Sequence, residues 1–427
     1  MRVLWLCNIM VPQLQKLFGF PEGNAGGWMV DTFEQLADRK GIRLAYCAPL
    51  EHGNKLIKKT WKHAVCYGFP KFRKQAHQYD KRLETVFRRI LDSFQPDIVH
   101  IFGTEYPHAL AMARSFHNPG KTVIHIQGLI FFWGGVYRAF LPARVYYGAA
   151  FRDIIRLDNI ALQKKKFDRR GKYEILALNN VKHVMGRTEF DQAAARKLNP
   201  ALNYFYCPEN LRREFSQSSD RWDIRCCEEH SIFMSQGSYP IKGLHLALEA
   251  LAQIVCFYPD AKLYVTGHHA LFYGMHTWRD WLKISSYTKY ILKLINQWKL
   301  KEHVVFLGGL DAQQMKERYL KSHVYILPSV IENSPNSLSE AMSLGVPSVA
   351  AAVGGVPSML EHNREGYLYE AQSPYMLAHY VQKIFDDPQL AGRLSRNAYR
   401  RLEKLKNTQG NVERLLEIYR QIQISED

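Results

Sequence analysis

The chain of 427 residues alternates short, almost continuous apolar runs with longer stretches in which apolar residues recur every three or four positions. The first pattern is typical of buried strands and the second of amphipathic helices. The predicted strands are residues 2–7, 43–48, 97–102, 121–126, 182–186 and 203–206, then 231–235, 261–266, 303–307, 323–327 and 347–350. Strands that alternate with helices form parallel sheets, so the pattern predicts an α/β fold with two Rossmann-like domains.

A polar stretch separates the two sets of strands. It runs from Asn210 to His230 and includes a Ser-Gln-Ser-Ser-Asp segment, which is typical of a linker. We therefore predict a first domain over residues 1–208, a linker over 209–230 and a second domain over 231–408. A last helical stretch, 409–427, remains to be placed.

The bulk composition is that of an ordinary globular protein, with 47% hydrophobic and 23% charged residues. Seven cysteines show neither metal-ligand spacing nor a disulfide framework, which favours reduced thiols and a cytoplasmic location. The apolar run at the start is too short for a signal peptide, and no apolar stretch has the length of a membrane span.

Positive charge is concentrated in the first half of the chain. The net charge is +17, and residues 1–200 hold 32 Lys and Arg against 16 Asp and Glu. The basic clusters, several with interleaved aromatic and aliphatic residues, are 55–62, 71–74, 88–89, 164–166 and 169–170. They predict a patch for an anionic membrane surface. A solvated basic face is the alternative, and nucleic acid is unlikely because no nucleic-acid-binding motif occurs.

Two glutamates, Glu332 and Glu340, are separated by seven residues around the start of a predicted short helix. Ser334 is the predicted N-cap, Pro335 the first helical residue and Gly345 the left-handed stop. Amides in the first turn and the helix dipole favour an anion such as a diphosphate. The carboxylates can accept hydrogen bonds from sugar or ribose hydroxyls. Two solvated glutamates are the alternative.

The segment from about residue 324 to 370 resembles the donor-binding core of the retaining glycosyltransferases of family 4, within glycosyltransferase group 1. That family carries Glu-x7-Glu, Glu-Ala-Met-x-x-Gly-x-Pro and Gly-Gly-x-x-Glu. The matching residues here are Glu332 and Glu340-Ala341-Met342, Gly345 with Pro347, and Gly354-Gly355, with the last acid displaced to Glu361. The resemblance implies the GT-B fold, in which two domains face each other across a cleft. It also implies that 409–427 returns to the first domain.

The resemblance extends to the loop from Met234 to Gly243, where Lys242 matches the lysine that binds the donor diphosphate. It implies that the amides of Asn336 and Ser337 share this role, that Glu332 orients the sugar and that Glu340 holds the ribose. Ser238 stands where the family usually has arginine. Arg187 is a candidate for the missing charge, with a structural pairing to Glu189 or Asp191 as the alternative.

The first half resembles the family more loosely. Gly26 and Gly27 match a Gly-Gly turn near the donor diphosphate, where glycine allows close approach of the backbone. Gln127 stands at the family's active-site histidine and can donate a hydrogen bond but cannot titrate. His125, two residues earlier, is a minor candidate to replace it, and His100 is expected to be structural.

Together these features predict a retaining hexosyltransferase that moves sugar from a nucleotide-diphosphate sugar to a glycan or lipid-linked acceptor, as in cell-surface polysaccharide assembly. No Asp-x-Asp triplet occurs, so we expect no metal and no other cofactor. A nucleotide-sugar epimerase and a non-catalytic scaffold of the same fold remain alternatives. An oxidoreductase is less expected, because no Gly-x-Gly-x-x-Gly follows the first strand.

Overall fold

A computed structural model describes residues 1–21, 23, 26–72, 76–267, 271, 277–403 and 408–424. Its contacts divide the chain into two compact units. The first comprises Met1–Gly134, Lys166–Arg213 and Leu405–Asp427, and the second comprises Gly135–Lys165 and Glu214–Lys404. The predicted first domain ran through residue 208, whereas Gly135–Lys165 belongs to the second unit. One reason is that Nε2 of His245 lies 2.7 Å from the carbonyl oxygen of Ala139.

The first unit is built on an eight-stranded sheet of order β3-β4-β2-β1-β5-β6-β7-β8 among the described residues. Every pair of neighbours is parallel except β3 and β4, which form an antiparallel hairpin at the edge. The strands are β1 Arg2–Cys7, β2 Arg43–Pro49, β3 Ile57–Trp61, β4 Ala64–Phe69, β5 Ile98–Phe102, β6 Thr122–His125, β7 His183–Gly186 and β8 Asn203–Tyr206.

The second unit is built on a six-stranded parallel sheet of order β11-β10-β9-β12-β13-β14 among the described residues. The strands are β9 Glu228–Met234, β10 Lys262–Thr266, β11 Val304–Gly308, β12 Ser322–Leu327, β13 Ser348–Ala351 and β14 Tyr367–Tyr369. The predicted α/β class with two parallel, Rossmann-like sheets is therefore confirmed. The hairpin β3–β4 was not predicted: the residues of β3 were interpreted as part of the basic cluster 55–62, and no strand was assigned to those of β4.

The helices connect these strands in chain order. They are α1 Pro12–Phe18, α2 Gly27–Ala37, α3 Arg82–Phe94, α4 His108–Phe116, α5 Ile130–Val136, α6 Ala143–Tyr146, α7 Phe151–Arg156, α8 Ile160–Leu178, α9 Glu189–Leu198, α10 Arg213–Ser216, α11 Leu244–Ile254, α12 Trp278–Lys283, α13 Ser286–Gln297, α14 Ala312–Lys321, α15 Asn336–Leu344, α16 Val356–Met359, α17 Pro374–Asp386, α18 Pro388–Glu403 and α19 Thr408–Ile424. Single 3-10 turns are Pro119–Lys121, Pro240–Lys242 and Lys301–His303.

Both faces of the first sheet are buried, as expected for a parallel sheet. Alternate residues of β1 enter opposite cores: Val3 and Trp5 one, Leu4 and Leu6 the other. The last helix, α19, packs on the core that holds Trp5. The hydroxyl of Tyr419 accepts a hydrogen bond from Nε1 of Trp5 at 2.9 Å and lies 2.6 Å from Nδ1 of His100.

The predicted linker carries structure of its own. Trp222 is buried and donates through Nε1 to the carbonyl oxygen of Ser322 at 2.7 Å. Its backbone N–H donates to the carbonyl oxygen of Leu344 at 2.9 Å. These bonds connect the segment to β12 and α15 of the second unit. Between β10 and β11 the second unit carries α12 and α13, while 268–270 and 272–276 lie outside the described residues.

Candidate active site

Helix α15 begins just beyond the carboxyl end of β12, at the place where ligands bind in open α/β sheets. Its N-cap is Pro335 and its first residue is Asn336, so the predicted Ser334 cap is wrong by one residue. The reason is that the carbonyl oxygen of Pro335 accepts the first helical hydrogen bonds, from Leu338 at 3.1 Å and Ser339 at 3.3 Å. The helix ends at Gly345 in the left-handed conformation, with φ 77°, as predicted.

Glu332, in the loop before α15, forms an ion pair with Lys242 at the end of the 3-10 turn Pro240–Lys242. Nζ of Lys242 lies 2.5 Å from Oε1 of Glu332, which also accepts a hydrogen bond from the hydroxyl of Ser329 at 2.7 Å. Burial by itself lowers the pKa of Lys242, but the charge of Glu332 raises it above its usual value. Lys242 is therefore a cation over the whole neutral range. The ring of Tyr239 adds a cation–π contact at 6.0 Å.

Two glycines let the backbone approach closely enough to build this loop. A Cβ on Gly354, which has φ 51°, would lie 1.9 Å from the carbonyl oxygen of Glu332. A Cβ on Gly243, with φ 77°, would lie 1.9 Å from the carbonyl oxygen of Pro328. The N–H of Gly355 donates to the carbonyl oxygen of Glu332 at 3.0 Å. Three segments that are far apart in the sequence therefore meet at the loop that carries Glu332.

Both glutamates of the pair are buried: Glu332 is 6% exposed and Glu340 is 5% exposed. The alternative of two solvated glutamates is thus excluded. Asn336 and Ser337 occupy the first turn of α15, and the carbonyl oxygen of Ser337 accepts a hydrogen bond from the hydroxyl of Tyr319 at 2.9 Å. The backbone amides at this end of α15 can bind an anion. Lys242, which is held by Glu332 of the loop before the helix, adds a fixed positive charge.

Ser238 faces a different part of the same unit. It lines a cavity of about 200 Å³ together with Tyr239, Arg152 and the first residues of α13. Its hydroxyl oxygen is buried and has no hydrogen-bond partner among the described residues. The backbone N–H of Ser238 donates to Oε1 of Gln236 at 3.0 Å.

In the first unit, Gln127 and Arg187 meet at a carboxylate that the sequence did not reveal, Glu209. Nε2 of Gln127 donates to Oε1 of Glu209, and Nη1 of Arg187 lies 2.8 Å from its Oε2. Burial raises the pKa of Glu209 although Arg187 lowers it. The Arg187 side chain thus pairs with Glu209, and the Arg187 backbone N–H donates to Oδ2 of Asp191 at 2.9 Å.

His125 lies beside the same carboxylate, with Nε2 3.4 Å from Oε1 of Glu209. Burial and then Arg187 lower its pKa to about 3, so the imidazole is neutral and the contact is not an ion pair. Glu209 was missed because it belongs to the predicted linker. Its one sequence signal was an acid three residues after the end of the predicted strand 203–206.

Gly26 and Gly27 form the start of α2. Gly26 is the N-cap with φ 79°, a conformation that favours glycine, and a Cβ on Gly27 would lie 3.2 Å from Cδ of Arg212. Asn24 and Ala25 of the same loop lie outside the described residues. The close packing explains why this turn is glycine-rich.

A cavity of about 380 Å³ lies at the carboxyl ends of β1, β2 and β4 in the first unit. Its lining includes aromatic and aliphatic side chains together with a few polar groups: Asn8, Ile9, Phe69, Lys71, Phe72, Asp80, Leu83, Tyr106 and His108. The sequence did not reveal it, because these residues come from five separate segments.

The polar side of this cavity is a hydrogen-bonded chain. Nδ2 of Asn8 donates to Glu105 at 2.5 Å, so Oδ1 of Asn8 accepts from Nε2 of His108 at 2.7 Å. Burial lowers the pKa of His108 to about 3 and raises that of Glu105 to about 7. The neutral imidazole therefore keeps its Nδ1 as an acceptor.

Parts of the predicted basic patch bind within the protein. Nζ of Lys59 donates to the carbonyl oxygen of Leu17 at 2.6 Å, and Nζ of Lys62 lies 2.7 Å from Oδ2 of Asp38. Residues 73 and 74 of the patch lie outside the described residues. Within the described residues, no group of three or more His, Cys, Asp or Glu could hold a metal ion. In the same part of the chain, no helix is long and apolar enough to cross a membrane.

Part of the chain is similar in sequence to known proteins. Residues 219–401 match the family model of glycosyl transferases group 1. The chain is 24% identical to the spore coat protein SA of Bacillus subtilis over 181 residues, 42% of this chain and 45% of that protein. It is 27% identical to the N-acetyl-alpha-D-glucosaminyl L-malate synthase of Bacillus anthracis over 188 residues, 44% of each. The matches thus span less than half of these relatives.

Solved structures match over nearly the whole chain. A sucrose-phosphate synthase from Thermosynechococcus elongatus has a TM-score of 0.68 at 19% identity and covers 99% of both chains. Anabaena Alr3699/HepE in complex with UDP has a TM-score of 0.65 at 15% identity, covering 99% of this chain and 100% of that one. The chain therefore has the fold of GT-B glycosyltransferases, and its second unit carries the sequence pattern of glycosyl transferases group 1.

Proposed function

We propose that this protein is a retaining glycosyltransferase of family 4 that transfers a sugar from a nucleotide-diphosphate sugar to an acceptor hydroxyl. The observation that carries the proposal is the buried Lys242–Glu332 pair beside the start of α15. It lies within residues 219–401, which match glycosyl transferases group 1. Structures of Anabaena Alr3699/HepE with UDP and with UDP-glucose support a nucleotide sugar as the donor.

The donor chemistry follows from these residues. The bond between C1 of the sugar and the diphosphate oxygen breaks, and its electron pair leaves with the diphosphate. Lys242 and the amides of Asn336 and Ser337 stabilise that growing negative charge. Glu332 orients the sugar, and Glu340 accepts hydrogen bonds from the ribose. The acceptor oxygen bonds to C1 on the face that the diphosphate leaves, and its proton passes to a diphosphate oxygen.

The acceptor is a glycan or a lipid-linked glycan, as in polysaccharide assembly. We assign it to the cavity of the first unit, where aromatic side chains such as Phe69 and Tyr106 can stack on sugar faces. His108 accepts a hydrogen bond from a hydroxyl through Nδ1. Gln127 also donates to a sugar hydroxyl once it leaves Glu209, while Ser238, Arg187, Gly26 and Gly27 contribute to donor binding.

We further propose that transfer needs no metal or other cofactor, because Lys242 and the helix amides supply the positive charge that a cation would provide. The protein is proposed to act in the cytoplasm and to bind an anionic membrane through the basic clusters of its first half. A nucleotide-sugar epimerase would need no acceptor. A non-catalytic scaffold would bind nucleotide without turnover.

The first experiment is a thermal-shift panel with UDP, GDP, ADP, CDP and NAD in the presence of EDTA. We expect one nucleoside diphosphate to raise the melting temperature of the wild type and of Lys301→Ala, a variant at an exposed lysine of the same unit. The same ligand leaves Lys242→Ala unshifted. Stabilisation by NAD alone, or by none of these ligands, contradicts the proposal. If the protein, incubated with the nucleotide sugar but no acceptor, converts the sugar to its epimer, the protein is an epimerase instead.

A further inference from the structure

An apolar surface lies exposed on the second unit where α7 and α12 pack against each other. Its members are large apolar side chains that are 47% to 71% exposed: Tyr147, Phe151, Ile154, Ile155, Leu157, Trp278 and Trp281. We call these residues the α7–α12 surface. Single exposed apolar side chains are ordinary, but a group of this size on adjoining elements indicates an interaction site.

A surface helix of a globular protein usually turns its apolar face to the core, whereas α7 turns its apolar face to solvent. Phe151, Ile154 and Ile155 are spaced i, i+3 and i+4, so they share one face, and that face points to solvent. Asp153 on the opposite side is 1% exposed. Its Oδ2 accepts from the N–H of Ala150 at 3.0 Å and of Ser286, the first residue of α13, at 2.7 Å. A buried carboxylate thus holds the apolar face outward.

The end of α7 shows the same feature. Leu157 is the C-cap residue in the left-handed conformation, with φ 48°, where glycine is usual. The N–H of Asp158 donates to the carbonyl oxygen of Asp153 at 2.9 Å and closes the turn. The position thus carries an exposed leucine in a conformation that leucine rarely adopts, which extends the apolar surface by one side chain.

The charges around the surface are mainly positive. Exposed cations on the same segments are Arg144, Arg156, Arg279 and Lys283. The nearby acids are Asp153, which is buried, and Asp158 and Asp280, which lie 3.7 Å from Arg152 and 3.2 Å from Lys283 respectively. A second copy of the chain would bring like charges together, whereas an anionic partner complements them.

We infer that the α7–α12 surface docks into the interface of an anionic lipid bilayer. Tryptophans beside arginine and lysine, with aliphatic side chains between them, are the side-chain set of interfacial membrane segments. Trp278 and Trp281 lie at the depth of the headgroups, Ile154 and Ile155 reach the acyl boundary, and the cations contact anionic headgroups. This surface is separate from the basic clusters 55–62 and 71–74, and the inference does not depend on sugar transfer.

The test is flotation of the full chain with phosphatidylcholine vesicles, with and without phosphatidylglycerol. The wild type binds the anionic vesicles. Ile154→Ser combined with Ile155→Ser weakens binding at least about tenfold, because two aliphatic side chains no longer leave water. Phe257→Ser is the matched control: Phe257 is 74% exposed in the same unit but outside the surface, and its variant binds like the wild type.

A second readout follows the tryptophans. Brominated lipids quench wild-type fluorescence, and the quenched part is lost in Trp278→Phe combined with Trp281→Phe. Equal vesicle binding by the Ile154/Ile155 variant and the wild type overturns the inference. So does a wild type that binds no vesicles but forms a dimer without lipid, if that dimer is lost in the same variant, because the surface then serves a second copy.

Discussion

Replacing Lys242 by methionine tests whether the Lys242–Glu332 pair is an energetic unit. The change keeps an unbranched side chain that is one atom shorter, and it removes the cation that lies 2.5 Å from Oε1 of Glu332. Glu332 is then left in a site where its side chain is 7% exposed. Among the described residues, the hydroxyl of Ser329 still donates a hydrogen bond to Oε1 of Glu332 at 2.7 Å.

Removing one partner of a buried ion pair typically costs about 3–5 kcal/mol. We expect the lower end, about 3 kcal/mol, because Ser329 still donates to the carboxylate and water reaches the Lys242 end. For a unit of this size that corresponds to a melting temperature lowered by about 6–12 °C. Lys242→Met combined with Glu332→Gln removes both charges and is expected within about 1 kcal/mol of the wild type.

The measurement is differential scanning calorimetry of the wild type, both single variants and the double variant without nucleotide. Lys283→Met is the control, because its exposed pair with Asp280 contributes at most about 1 kcal/mol. Burial lowers the pKa of Lys242, but the charge and hydrogen bond of Glu332, together with the nearby Tyr239 and Tyr325, raise it above its usual value. The stabilisation is therefore full below the usual lysine pKa and is lost only as the pH rises through the folded-state value.

Two results would refute this reasoning. One is a single variant that melts like Lys283→Met, which would mean that solvent already screens the pair. The other is a double variant that is destabilised by the sum of the two single changes, since independent contributions mean that the charges do not interact. Either result would also weaken the assignment of Lys242 as a diphosphate ligand preorganised by Glu332.

Three further predictions follow from close contacts in the two units. Gly354→Ala should displace the Glu332 loop and abolish transfer. The control Gly41→Ala, at φ 84° with no atom within 4 Å, should cost only about 1–2 kcal/mol in stability. Equal effects of the two variants on the melting temperature and on the transfer rate would contradict this. Glu105→Gln should gain stability relative to the wild type as the pH rises from 5 to 8. Burial raises the pKa of Glu105 to about 7, so the native wild type holds a proton that the unfolded chain has lost, and it loses stability as the pH rises. Free energies of urea unfolding that change with pH equally in the variant and the wild type would contradict this. Tyr419→Phe should cost about 2–3 kcal/mol in urea unfolding, because it leaves the Trp5 N–H and Nδ1 of His100 unsatisfied; a loss below about 0.5 kcal/mol would show that water or rearrangement replaces the hydroxyl.

Local features of the site could be predicted because they depend on neighbouring residues. Gly345 ends α15 as expected, and β12 lies within one residue of its predicted start. The N-cap was one residue off, because Ser334 and Pro335 both suit a helix start and only backbone geometry separates them. The hairpin β3–β4 was missed because lysines at 58 and 59 on an edge strand look the same in sequence as a solvated basic stretch.

The sequence by itself determined the alternation of strands and helices, the α/β class and the motif around Glu332 and Lys242. Apolar periodicity, turn residues and caps act within a few positions, so they can be read without knowing the fold. Only the tertiary structure decided that Glu209 joins Gln127 and Arg187, and that Asp153 holds the apolar face of α7 outward. These partners are between 22 and 133 residues apart in the chain, and their contacts depend on how the elements pack rather than on local propensity.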